Sequence, residues 1–163
     1  MIQRVSEDGW LTGADLNAFV NEAFGRENLT NKRVLFVIPD ATRSMPMPTL
    51  FRALHETLHR RVAKLDFLIA LGTHPPMPEE AINKLVGISQ QEREGKYRGV
   101  GLFNHEWQNR NALVRIGTLT EDMLADISGG LLRERVDVTI NRRVLEYDLV
   151  CVVGPVFPHE VVG

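Results

Sequence analysis

The chain has 163 residues, 44% of them apolar and 25% charged, with a formal net charge of −2. That length suits one domain whose core takes up roughly two thirds of the unfolded chain's surface. The charge balance gives no electrostatic case for nucleic acid or an anionic membrane as partner, and no apolar run approaches the ~18 residues of a spanning helix. The opening residues, MIQRVSEDGW, contain no apolar signal core, and the single cysteine, Cys151, excludes an internal disulfide. A cytoplasmic location is expected.

In chain order, Thr12 and Asp15 make a capping-box pattern ahead of Leu16, Phe19, Val20 and Ala23 at helical spacing, with Gly25 as the expected stop. Residues 33–38 read RVLFVI, apolar at every position from Val34 to Ile38, which predicts a strand covered on both faces. Pro46 and Pro48 open a helix that carries Leu50, Leu54 and Leu58 on one row. A second strand over 65–71, LDFLIAL, completes a βαβ crossover. Pro78-Glu79-Glu80 starts a helix with Ile82 and Leu85 apolar and Gly87 at its end. Ser89 and Glu92 form another capping box, closed by Gly95. Arg98–Phe103 is strand-like. Leu113–Leu119 and Val136–Ile140 either pair antiparallel or form a side excursion, joined by a helix and turn over Glu121–Gly130. Asn141–Tyr147 reads as a short helix before a last strand at 149–153, LVCVV, where Cys151 is expected to be a small core residue. This order predicts an α/β, Rossmann-like three-layer domain with a mostly parallel sheet, a single domain over residues 1–163.

Polar signatures follow the strands. Asp40-x-x-Arg43 follows the first, Gly72-Thr73-His74-Pro75-Pro76 the second, Asn104-His105-Glu106-Trp107 the strand-like run, and Pro158-His159 the last. In open parallel sheets ligands bind outside the carboxyl ends of the strands, so these residues are candidates for one site. A turn leading into a helix N-terminus favours anions, and Arg43 adds a planar fork that matches a carboxylate or phosphate. Histidine is suited to moving protons near neutral pH, and the flanking prolines limit the wandering of His74. His55 and His59 have the spacing of a helical metal pair, but no third ligand is near. They read as the polar rim of an amphipathic helix, so no metal site is predicted. The basic run Arg133–Arg143 is interrupted by Glu134, Asp137 and apolar residues and reads as a solvated face.

Taken in order, IPDATRSMP (38–46), ALGTHPPMPEE (70–80), NHEW (104–107) and INRRVLEYDLVCVVGPVFPHEVVG (140–163) resemble the N-terminal domain of the lactate racemase family, the nickel-pincer-nucleotide racemases and epimerases of 2-hydroxy acids. The resemblance implies a two-domain protein with its active site between the domains. It implies a nickel-bearing pyridinium mononucleotide that takes a hydride from the substrate's α-carbon and returns it to either face. By motif match, His74 and His159 exchange the hydroxyl proton from opposite sides, Arg43 holds the substrate carboxylate and Asp40 orients His74. Asp40, Thr42 and Thr73 are the cofactor contacts it implies, and the implied partners are a small 2-hydroxy acid and a C-terminal domain. Two departures stand out. Pro75 occupies a position where the family commonly has an arginine, which leaves the substrate open. The sequence also ends at Gly163, before the family's Ser-Gly-Gly-x-Lys segment, whose lysine holds the cofactor, and before a nickel-ligating histidine. The expectation is a domain cut from a longer protein and inactive alone. Thr120–Arg135 reads as an insertion relative to the family pattern. The rival reading is a non-catalytic α/β module that binds an anionic metabolite or nucleotide through Arg43 and loop N–H groups.

Overall fold

The first predicted helix is set by its cap. In the computed structural model, which describes residues 1–7 and 9–156, α1 spans Gly13–Gly25. The Thr12 Oγ1 accepts the Asp15 N–H at 3.2 Å and an Asp15 carboxylate oxygen accepts the Thr12 N–H at 2.8 Å, so both halves of the capping box are made. Gly25 is the last helical residue rather than a left-handed stop, because the chain leaves through Arg26 in right-handed conformation. The other helices are α2 (Met47–Leu58), α3 (Glu79–Val86), α4 (Gln90–Glu94) and α5 (Glu121–Ile127).

The strands are β1 (Arg33–Pro39), β2 (Lys64–Ala70), β3 (Gly101–Asn104), β4 (Leu113–Leu119), β5 (Val136–Asn141) and β6 (Leu149–Val152). Four of them make a parallel sheet in the order β3-β2-β1-β6, while β4 and β5 pair antiparallel as a separate two-stranded sheet. The α/β class with a mostly parallel sheet is therefore as predicted. From β1 the chain steps out to β2 and β3 on one side and only later returns to lay β6 on the other. That reversal is the switch point at which parallel sheets open a crevice.

Partners in a parallel register share a face. Val34, Phe36 and Ile38 of β1 and Leu65, Phe67 and Ile69 of β2 all point into the main core, where they meet Met47, Phe51, Leu54 and Leu58 of α2 and Ile82 and Val86 of α3. Aromatic contacts run through this layer: Phe36 stacks on Phe67 at 5.4 Å, Phe51 lies 4.9 Å from Phe67, and Tyr97 lies 5.0 Å from Phe51. Each such pair adds about 0.5–1.5 kcal/mol beyond area burial. Tyr97 enters because β3 begins later than its sequence suggests. Residues 95–99 are wound in turns, with the Tyr97 N–H on the Glu92 carbonyl and the Val100 N–H on the Tyr97 carbonyl, so Arg98–Phe103 is strand only from Gly101. Cys151 is half-buried against this same core, and burial pushes its thiol pKa up, as an inert core cysteine requires.

The polar-rim reading of His55 and His59 fails for His55. Its side chain is 3% exposed, stacked at 4.3 Å on His59 and edge-on to Tyr97 at 4.7 Å. The cause is the turn at 95–99, which brings Tyr97 over that flank of α2. Burial first, then the nearby His59 and Lys96, lower the His55 pKa from 6.5 to about 4. The unfolded chain therefore binds a proton that the native chain refuses. Stability from this site is complete above about pH 6.5 and is lost as pH falls through 6.5 toward 4, up to about 3 kcal/mol. Replacing His55 by Phe should remove that loss. Urea unfolding at pH 7.5 and pH 4.5 should show wild type losing about 2–3 kcal/mol more than His55→Phe. Equal losses would mean that His55 accepts its proton in the fold.

Candidate functional site

The register of the central strands decides which loops meet. Pro39 is paired with Ala70 and Val37 with Val152, so the chain leaves β1, β2 and β6 at one edge of the sheet. There the loops surround an open cavity of about 390 Å³, lined by Asp40, Thr42, Arg43, Thr73 and His74 over apolar walls that include Val37 and Val152. Asp40 and His74, 34 residues apart in sequence, become neighbours because their strands are adjacent, parallel and in step.

Asp40 is buried, and each of its side-chain oxygens has a separate task. One accepts both the Thr42 N–H, at 3.0 Å, and the Thr42 hydroxyl, at 2.5 Å. This is the turn in which an Asp bonds its own backbone two residues on. The other oxygen lies 2.5 Å from His74 Nδ1. Burial pushes the Asp40 pKa up, but the hydrogen bonds from Thr42 and His74 outweigh it and hold the carboxyl below its usual value. An ionised carboxylate only accepts, so Nδ1 carries a hydrogen, and in the neutral ring Nε2 is the nitrogen with a lone pair. That is the tautomer a general base needs.

The histidine loop is tied at both ends. Gly72 takes φ +58°, a left-handed turn that side chains rarely adopt, and the His74 N–H then closes on the Leu71 carbonyl at 2.9 Å. At the far end the Asn104 carboxamide accepts the Met77 N–H at 3.1 Å and donates to the Met77 carbonyl at 2.9 Å. Asn104 thus holds the loop to the end of β3, a task its place in NHEW did not reveal. His105 faces another way, with Nδ1 3.1 Å from the Asn141 amide nitrogen. The Asp40–Arg43 turn itself closes with the Arg43 N–H 3.4 Å from the Asp40 carbonyl. Helix α2 starts only at Met47, whose N–H bonds the Met45 carbonyl, and Pro48 carries no N–H. The expected helix-terminus contribution to anion binding is correspondingly reduced. His159 lies outside the described residues. Among the described residues no group of three or more His, Cys, Asp or Glu side chains is placed to hold a metal ion, and no helix is long and apolar enough to cross a membrane.

A parallel α/β sheet that brings a carboxylate-bound histidine and an arginine to its switch point is a framework for acid–base handling of a small anion. Residues 16–163 match the family described as the lactate racemase N-terminal domain, and the chain belongs to that family. A crystal structure of a protein from Thermotoga maritima, determined by the Northeast Structural Genomics Consortium, is similar, with a TM-score of 0.73 and 29% identity. The match covers 87% of this chain and 33% of that one, so the chain spans about a third of the length of the solved protein. No curated protein matches the chain.

Proposed function

We propose that this chain supplies the substrate-binding and proton-transfer half of a racemase or epimerase acting on a 2-hydroxy acid, within a longer protein. The observation that carries the reading is the 2.5 Å contact between Asp40 and His74 Nδ1 in the same cavity as Arg43. Arg43 would take the substrate carboxylate through its planar fork. His74 Nε2 would accept the proton of the α-hydroxyl as the α-hydrogen leaves, and return it afterwards. Asp40 would hold the ring in its tautomer and stabilise the imidazolium between those steps. His159 is the proposed counterpart for the opposite face. The resemblance implies a nickel-pincer nucleotide to take up the hydride. Among the described residues no group of three or more His, Cys, Asp or Glu side chains is placed to hold nickel, and the part proposed for this chain is substrate binding and proton transfer.

The test is the loss of optical rotation from a single enantiomer of lactate or a related acid by the complete protein. His74→Ala should lower the rate by about 10²–10⁴-fold, the usual value of a general acid–base, while substrate binding changes much less. Near-wild-type turnover by His74→Ala would remove it from the mechanism. No turnover of any 2-hydroxy acid by the complete, cofactor-loaded protein would sink the proposal.

A further inference from the structure

Thr42 spends both of its donors on one oxygen of Asp40, and the geometry points to a positioning role for it in the proton-transfer chain. We infer that Thr42 is a clamp that fixes the Asp40 carboxylate and, through it, the hydrogen bond and orientation of His74. The role in turnover rests on the racemase reading; the clamp itself does not.

The argument starts from what an unclamped carboxylate would do. A carboxylate can rotate about its last bond and offer either oxygen, or both, to a neighbouring ring. Here the backbone N–H of Thr42 at 3.0 Å and its hydroxyl at 2.5 Å converge on the same oxygen, and the other is left to His74 alone. Hydrogen bonds to an ionised group are shorter and about twice as strong as neutral ones, and two on one atom define a direction as well as an energy. The histidine needs this help. Its side chain is half-exposed, while the Asp40 side chain is 8% exposed, so the ring takes its orientation from the buried acid rather than from packing. The backbone donor is fixed by the turn. The hydroxyl is the one donor in the clamp that a substitution can remove.

The role differs from that of a cofactor contact. A hydroxyl whose hydrogen points to Asp40 has none to donate to a phosphate, so its loss should be felt at His74 rather than in cofactor affinity. Thr42→Val removes the hydroxyl and keeps the branched shape and the N–H, whereas Thr42→Ser keeps the hydroxyl. The first readout is the ¹⁵N NMR signature of the His74 ring in the 163-residue protein, taken at high pH where the ring is neutral. All three should show the Nδ1–H tautomer, with a downfield, slowly exchanging Nδ1–H proton in wild type and Thr42→Ser and an upfield-shifted, exchange-broadened one in Thr42→Val. The second is racemisation by the complete protein, where Thr42→Val should lower kcat roughly ten- to a hundredfold with KM and cofactor binding little changed, and Thr42→Ser should restore most of it. An unchanged Nδ1–H signal in Thr42→Val overturns the inference, as does a Thr42→Val loss that appears in cofactor affinity instead of kcat. Because the NMR arm needs no activity, a protein that racemises nothing would refute the proposed function while leaving the clamp tested by its Nδ1–H signal.

Discussion

Replacing Asp66 by Ala should lower the stability of the fold by about 2–5 kcal/mol, the effect of leaving two buried donors without an acceptor. Asp66 sits in the middle of β2 with 0% exposure. One carboxylate oxygen accepts the Gly101 N–H at 2.6 Å, and the other accepts the Tyr147 hydroxyl and lies 3.0 Å from the Lys64 ammonium. Three parts of the chain are gathered on this one group: the start of β3, the turn before β6, and β2 itself. The approach is close enough that a Cβ on residue 101 would fall 2.8 Å from the carboxylate and 2.4 Å from the Phe103 ring, which is why a glycine stands there. Burial, and then the bond to Asp66, raise the Tyr147 pKa well above its usual value, so the phenol stays a donor. Without the carboxylate the phenol and the Gly101 N–H lose their acceptor, and unsatisfied buried groups carry a penalty of about 1–3 kcal/mol each. Tyr147→Phe should lose less, about 1.5–3 kcal/mol, because it deletes the donor along with its need. Asp66→Leu should lose about as much as Asp66→Ala, since it too leaves the phenol and the Gly101 N–H without an acceptor. Urea midpoints with unchanged slopes measure all three. A loss under 1 kcal/mol for Asp66→Ala would show that the network does not hold these elements together.

Why some of this was legible and some was not follows from distance along the chain. The unbroken apolar run from Val34 to Ile38 announces β1, and the pairing of Pro39 with Ala70 follows from two parallel strands of seven residues each lying in step. The meeting of Asp40 and His74 is a consequence of that register, so the two signatures beyond the strands could be read as one cluster before any coordinates. Helix α1 could be read from Thr12 and Asp15 because a capping box is a local object. The Asp66 network could not. Its one visible trace is a lone charge inside LDFLIAL, and the partner phenol is 81 residues away. The burial of His55 was hidden for the same reason. Helical spacing puts it at the edge of the Leu54/Leu58 row, and only a turn some 40 residues later, which delivers Tyr97, covers that edge. The pairing of β4 with β5 was one of two options in the sequence, since period alone does not tell whether two short apolar runs pair antiparallel or form a side excursion.

The largest effect on turnover should come from a change of one heavy atom. In the complete protein, Asp40→Asn should lower racemisation by about 10³–10⁴-fold, at least as much as Asp40→Ala, although Asn is the closer match in shape. The reason lies in Thr42. Its N–H and O–H both donate to the same oxygen of residue 40, so an asparagine must turn its carbonyl toward Thr42 and its amide nitrogen toward His74. The Nδ1 position, 2.5 Å from Asp40 in the wild type, then faces an N–H donor and must become the acceptor. The ring hydrogen moves to Nε2, and the nitrogen that was to receive the substrate's proton already carries one. Alanine leaves the ring without guidance but does not enforce the wrong tautomer. The carboxylate contact proposed for Arg43 is untouched by either change, so KM should move little while kcat collapses. The ¹⁵N spectrum of neutral His74 checks the cause directly: Nδ1–H in the wild type, Nε2–H in Asp40→Asn and a mixture in Asp40→Ala. An Asp40→Asn protein that keeps both the Nδ1–H tautomer and its activity would show that the Asp40–His74 contact holds the loop in place and takes no part in moving protons.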